Sequence, residues 1–398
     1  MYIVEKFNRI SDPVKTIATM FLRIPFLLFA LFFFSFPLFA QRDSVAERII
    51  LVGDAGKFDM NNKNPELDLI RKMYDLNKEH TTILFLGDNI YPQGLPSAYA
   101  NNYLEKKAIL DSQINVVSGT KAKAYFMAGN HDWMQGAPSG WQQVINQYRY
   151  ITGLQRDNVM YVPSSVCPGP EEISLSDRMT LVVIDSQWWL HAYDKPGATS
   201  GCEFQTKDQL LAALKDIVFR NMNKVLIFAA HHPFVTYGRH GGYFTIKQHI
   251  FPFTEINPKL YIPLPIIGSI YPISRGVFGN IQDTRHPTYK NFSSAVDSIL
   301  RMHPYCLRVA GHEHTLQMIE LQNQVYIVSG AGSKMSSIAP KKPGLLYASD
   351  KTGFAVIERN YNGNVYVRFF SSMNDTAQNP IYAKMLPSID TTAVKVKP

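Results

Sequence analysis

Five short polar segments each follow directly on an apolar, strand-like run, and they limit the possible fold more than any other feature of the chain. They are Gly53-Asp54-Ala55-Gly56, Gly87-Asp88-Asn89-Ile90-Tyr91, Gly129-Asn130-His131-Asp132, Ala230-His231-His232-Pro233 and Gly311-His312-Glu313-His314. A single Gly-Asp or Gly-His pair is an ordinary turn. Five of them, each at the end of a β-type run, deliver Asp, Asn, Tyr and His side chains to one edge of a sheet.

The intervening pattern predicts how that sheet is built. Strands are expected at 49–52, 82–86 and 124–127, with helices at 65–77 and 96–112 between them, which is the alternation of βαβ units with right-handed crossovers. The second half repeats it, with strands at 181–184, 224–228 and 307–310 and helices at 206–219 and 293–302. Runs at 325–328 and at 356 or 365–370 are expected to close the sheets as antiparallel strands. The fold class is therefore α/β, a two-sheet mixed β sandwich flanked by helices. A length of 398 residues alone allows two or three domains, but the five segments span 53–314 and must meet, so a single domain over 46–375 is expected. Residues 241–288 break the rhythm, being aromatic, rich in proline and without a clean period. They read as an irregular insertion covering the mouth of the site, with a membrane-surface or protein contact as the alternative. Residues 376–398 read as a C-terminal tail.

Residues 24–40 form an uncharged apolar run with Arg23 before it and a small residue, Ala40, at its end. This is the pattern of a cleaved leader, and it implies a periplasmic or extracellular protein. The alternative is a membrane anchor through 24–40, since about 17 residues is the lower limit for crossing a bilayer. Met20 offers a later start that gives a leader of ordinary length. The formal charge is +8, a mild basic excess that suits anionic substrates. No run of Arg and Lys with interleaved aromatics points to nucleic acid. Of the three cysteines, Cys167 and Cys202 flank an apolar strand and can pair in an oxidising compartment, whereas Cys306 lies in an apolar run and reads as a buried thiol.

The donor types point to metal. Carboxylates can bridge two cations, while imidazole and amide ligands leave the pair a net positive charge toward an anionic substrate. Asp54, Asp88, Asn130, His231, His312 and His314 supply such a set, with no cysteine among them. His312 and His314 share a face if their segment is extended. The His231-His232 pair leaves a choice of register, and Pro233 with the preceding strand favours His231. Asp185, at another strand end, reads as structural, and Lys334 and Arg239 as solvated charge, with phosphate binding as the alternative.

On these residues the chain resembles the calcineurin-like metallophosphoesterase superfamily, and within it the small, tartrate-resistant type of purple acid phosphatase. Tyr91, three positions after Asp88, carries the narrower likeness, because a phenolate there binds ferric iron in that group. The resemblance implies a ferric site of Asp54, Asp88, Tyr91 and His314. It implies a divalent site of Asp88, Asn130, His231 and His312 for Fe(II), Zn(II) or Mn(II), with Asp88 bridging. His131 is then expected to bind the phosphate and His240 to protonate the leaving group. The implied reaction is hydrolysis of a phosphomonoester by metal-bound hydroxide, with inversion at phosphorus. The alternatives are a phosphodiesterase or nucleotidase with two divalent ions, and a non-catalytic cell-surface binding module.

Overall fold

The computed structural model of the protein describes residues 44–78, 80–255, 259–374 and 378–386. The leader or anchor at 1–40, the alternative start at Met20 and the last part of the expected tail lie outside the described residues. The strands are β1 (Val45–Val52), β2 (His80–Phe85), β3 (Lys123–Phe126), β4 (Val159–Tyr161), β5 (Glu171–Ser176), β6 (Met179–Val183) and β7 (Val225–Ala229). They continue with β8 (Cys306–Ala310), β9 (Leu316–Leu321), β10 (Gln324–Ser329), β11 (Leu345–Ser349), β12 (Phe354–Asn360), β13 (Val365–Phe370) and β14 (Tyr382–Leu386). The helices are α1 (Pro65–Met73), α2 (Tyr103–Ile114), α3 (Gly140–Gly153), α4 (Ser186–Leu190), α5 (Lys207–Arg220), α6 (Ile246–Ile250), α7 (Ile270–Val277) and α8 (Pro287–Leu300).

Two seven-stranded sheets result, ordered β14-β13-β12-β1-β2-β3-β4 and β11-β9-β10-β8-β7-β6-β5. Strands β1 to β4 are mutually parallel, as are β6, β7, β8 and β10. Their apolar runs are continuous because both faces are covered. On one face Ile49, Leu51, Leu84, Ile227, Val309 and Ile357 fill the space between the sheets. The alternate residues Ile50, Val52, Ile83, Phe85 and Phe228 join the outer core with Leu110, Val144, Leu214 and Phe292 from the helices. This two-residue alternation sends each strand's side chains to two different cores.

Helix α5 begins where its sequence marks it, since Thr206 and Gln209 form a reciprocal capping box. Helix α2 starts later than expected: a turn over Ser97–Ala100 precedes it, and the helix begins only at Tyr103. The run at 325–328 lies in β10, which pairs antiparallel with β9 but parallel with β8, so it continues the sheet rather than closing it. The β9–β10 connection is a two-residue turn at Gln322 and Asn323, both with positive φ, without the Asn-Gly signature that marks such turns in sequence. The other sheet continues into the segment read as a tail. β14 pairs antiparallel with β13 and buries Leu386 at its end.

Cys167 and Cys202 are joined in a disulfide, and Cys306 is a buried free thiol. The bridge spans 35 residues, β5 and β6 among them. Closing a loop of that length predicts that reduction destabilises the fold by roughly 3–4 kcal/mol. Thermal melting with and without a reductant checks this, and an unchanged midpoint contradicts it.

Candidate metal centre

The parallel strands of the two sheets end side by side, and the chain turns sharply as it leaves each one. Asp54, Asp88 and His312 all adopt left-handed backbone, with φ of 60, 55 and 68°. Residues other than glycine accept such a conformation at a cost of ~1–3 kcal/mol each, and it concentrates where a side chain must be aimed. The hydrogen bonds Asp54 N–H to Gly87 O (3.0 Å) and Gly311 N–H to His231 O (3.1 Å) hold these turns against each other. Glycine is required at the closest approaches. A Cβ on Gly129 would overlap the Asp88 carboxylate, and one on Gly311 would stand 2.8 Å from Asp54 Oδ2.

All seven residues read from the sequence as metal ligands meet here, in two overlapping groups. In the first, His231 Nδ1 lies 2.8 Å from the Leu86 carbonyl and His312 Nε2 lies 2.8 Å from the Gln282 carbonyl. A carbonyl can only accept, so each of these nitrogens carries the proton and the opposite nitrogen of each ring presents a lone pair. Those lone pairs, on His231 Nε2 and His312 Nδ1, each lie 3.0 Å from Asn130 Oδ1. His231 Nε2 is also 3.4 Å from Asp88 Oδ1. Four acceptor atoms thus face one another with no proton between them. That arrangement is repulsive unless a cation fills it, and the donor set of imidazole, amide and carboxylate suits a divalent transition metal.

In the second group the Tyr91 hydroxyl donates to Asp54 Oδ1 at 2.7 Å, and His314 Nε2 lies 3.1 Å from that hydroxyl and 3.3 Å from Asp54 Oδ1. The other Asp54 oxygen accepts from the His312 backbone N–H at 2.7 Å, leaving Oδ1 for the site. Ligand atoms of Asp54, Asp88 and His314 lie within 4.8 Å of one another. Burial and the charge of Asp88 push the Asp54 carboxyl up to about 7. Burial works the same way on Asp88, but the imidazoles of His231 and His131 outweigh it and hold that carboxyl below its usual range. Burial and the charges of Asp54 and Asp88 raise the Tyr91 phenol well above its ordinary value. Burial, aided by neighbouring cationic groups, lowers His312 and His314 well below theirs. Burial therefore favours the protonated forms of Asp54 and Tyr91 and the neutral forms of His312 and His314, a balance that a cation would displace.

His131 and His240 stand at the accessible side of this cage. His131 Nδ1 is 2.6 Å from the Pro92 carbonyl, which turns Nε2 toward Asp88 Oδ2 at 3.9 Å. The His240 ring lies against that of His312, centroids 4.0 Å apart. His232 is close to His231 and His312, yet its two nitrogens face Ser186 Oγ at 2.8 Å and Gln282 Oε1 at 2.6 Å. His231, by contrast, faces Asn130 and Asp88. Asp185 caps α4 and accepts from Trp133 Nε1 at 2.8 Å, the structural role read for it.

Several residues that shape the site receive no role from the sequence alone, two of them inside the polar segments themselves. Asp132 accepts the backbone N–H groups of Asn89 and Gly129, tying two ligand-bearing turns together. Glu313, fully buried, accepts from Arg239 N–H and His240 N–H and so fixes the loop that carries His240. Lys334 is not solvated charge. Its ammonium sits 3.9 Å over the Tyr91 ring, and Arg239 borders the same loop. The 241–288 segment is likewise more than a cover. Arg275, on α7, pairs with both oxygens of Asp283 at 2.7 Å, and Asp283 Oδ1 lies 2.9 Å from His240 Nδ1. Only the position of Gln282 and Asp283, late in an aperiodic stretch, separates them from ordinary loop residues in sequence.

Known proteins bear out this architecture. The chain can be aligned over 87% of its length with the anchor protein in the inner membrane complex of Plasmodium, covering 90% of that chain at 17% identity and a TM-score of 0.54. It aligns over 86% of its length with a purple acid phosphatase from yellow lupin seeds at 14% identity and a TM-score of 0.51, spanning about half (54%) of that chain. At these identities the likeness is one of fold. No curated protein matches the sequence significantly. The calcineurin-like phosphoesterase family matches residues 47–262, more than half of the chain and four of its five polar segments. With the two-sheet fold and the converging donors, that match places the chain in the calcineurin-like phosphoesterase family.

Proposed function

We propose that this member of the family is an exported, acid phosphatase-like enzyme that hydrolyses phosphomonoesters at a binuclear metal centre. Asp54, Asp88, Tyr91 and His314 would hold ferric iron. Asp88, Asn130, His231 and His312 would hold Fe(II), Zn(II) or Mn(II), with Asp88 common to both. When bound, such a pair supplies an activated water and neutralises the phosphoryl oxygens. The chain's own groups do the rest. His131, its Nδ1–H donating to Pro92 O, would hold a phosphate oxygen through Nε2–H as the doubly protonated imidazolium. His240, held by Asp283, would protonate the leaving oxygen. Lys334 and Arg239 add positive charge beside an anionic ester.

The observation that carries this reading is the convergence of lone pairs from His231, His312, Asn130 and Asp88, each ring oriented by a carbonyl behind it. A panel of phosphomonoesters and phosphodiesters, run with the purified protein, tests it; preference for diesters supports the diesterase or nucleotidase alternative. Tyr91 tests the iron assignment. The oxidised wild type is expected to show a visible phenolate-to-iron absorption band, and Tyr91→Phe to lose it while melting within a few degrees of wild type. A colourless wild type removes iron from the proposal.

A non-catalytic binding module on the same fold is the second reading. The solved neighbour described as an anchor in the inner membrane complex of Plasmodium fits it, as does the exposed apolar surface of the 241–288 segment. Undiminished hydrolysis of a chromogenic phosphate by Asn130→Ala would favour it.

A further inference from the structure

Half of the exposed large apolar side chains among the described residues fall between Ile246 and Phe278. Helix α7 shows why they stand out. A surface helix ordinarily turns its apolar stripe inward and its charges outward. Here the charged residue is inside, Arg275 being 8% exposed, while Ile270, Ile273 and Val277 face out at 65, 55 and 59%. The turn before the helix adds Ile266 and Ile267 at 87 and 65%, and the residue after it, Phe278, is 72% exposed. Single exposed apolar residues are common, but a contiguous set of this kind marks a docking surface.

Charge and composition select the occupant. Between residues 241 and 288 the sequence carries Lys247, Lys259, Arg275 and Arg285 against Glu255 and Asp283. Asp283 is fully buried and paired with Arg275, so the outward balance is positive. Lys247 lies 4.6 Å over the ring of Tyr261 and donates to its hydroxyl at 2.7 Å. Isoleucine, valine and phenylalanine bordered by lysine and tyrosine is the composition of a surface that enters the headgroup region of a bilayer. The lysines at its border are of a type depleted in the core of a protein interface.

The same helix reaches the site. Its outward face carries the apolar set, and its inward Arg275 grips Asp283, which in turn holds His240 against His312. We infer that α7 and the turn before it dock the protein on an anionic lipid surface, and that its substrates are phosphomonoesters carried by amphiphiles at that surface. The docking rests on the exposed face alone; the substrate class rests also on the phosphatase reading above.

Sedimentation of the metal-loaded protein with vesicles tests the docking. Binding is expected to vesicles of phosphatidylcholine mixed with phosphatidylglycerol, and to weaken as salt is raised. The combined variant Ile267→Ser, Ile273→Ser, Phe278→Ser is expected to bind these vesicles about a hundredfold more weakly. It should keep wild-type hydrolysis of soluble p-nitrophenyl phosphate and lose the faster hydrolysis of long-chain phosphatidic acid in the mixed vesicles. If that variant does not purify, Lys247→Glu with Lys259→Glu is expected to reduce binding to the mixed vesicles. Failure of the wild type to bind the mixed vesicles overturns the proposal, as does unaltered binding by the charge variant. A concentration-dependent dimer that the triple variant disperses also overturns it, by assigning the face to a second copy. Failure of the wild type to hydrolyse p-nitrophenyl phosphate rejects the phosphatase reading and, with it, the substrate class, while vesicle binding still decides the docking.

Discussion

Asp88→Asn is expected to lower kcat/KM for a soluble phosphomonoester by at least ~10³-fold while leaving the fold intact. Asparagine keeps the size of the side chain and tolerates the left-handed backbone found at Asp88, where φ is 55°. It can still accept the His131 backbone N–H, now at 2.8 Å. What it removes is the negative charge between the two groups of donors, which no other side chain supplies to both. Without cation, the change removes a charge that His231 and His131 favour but that also raises the Asp54 carboxyl, so its two effects on stability oppose each other. Circular dichroism and melting of the metal-free proteins check the fold, and steady-state kinetics check the loss. An Asp88→Asn variant within tenfold of wild type, on the order of a surface substitution, would contradict a bridging role.

Removing metal with a chelator is expected to lower the melting midpoint at pH 7 by about 5 °C, and by less at pH 5. The sign follows from Asp54. Its folded carboxyl lies at about 7, above the 3.8 of an unperturbed aspartate. In the metal-free protein this group contributes stability that is fully present below the unfolded value and is lost as pH rises through the folded one. A cation reverses that loss, because it binds the ionised carboxylate and releases the proton. The gap between metal-loaded and metal-free midpoints should therefore widen from pH 5 to pH 7. Parallel melts across that range check it, and a gap that narrows with pH contradicts the assignment of Asp54 to the cage.

How much of this was legible in the sequence depends on whether a residue's role is local. Asp54, Asp88, Asn130, His231 and His312 each sit just beyond an apolar strand, and strand order alone brings such positions to one edge. Tyr91 and His314 follow from their spacing to Asp88 and His312. Gln282, Asp283 and Arg275 could not be read that way. They act through contacts across 30 or more residues to His240 and His312, and the stretch that carries them has no period to set its register. Lys334 was misread because its partner is a ring 243 positions away, a contact set by the packing of one sheet on the other. Strand β14 was missed because its five residues alternate only partly buried side chains and sit at an edge, where pairing rather than hydrophobicity defines the strand.

Elemental analysis of the purified protein, paired with a chromogenic phosphomonoester assay before and after chelation, tests the central claim most directly. The account predicts two metal equivalents per chain, iron among them, and hydrolysis that disappears on chelation and returns with added metal. A chain that takes up no metal when offered iron, zinc and manganese, or one that hydrolyses the ester equally well in excess chelator, would contradict it.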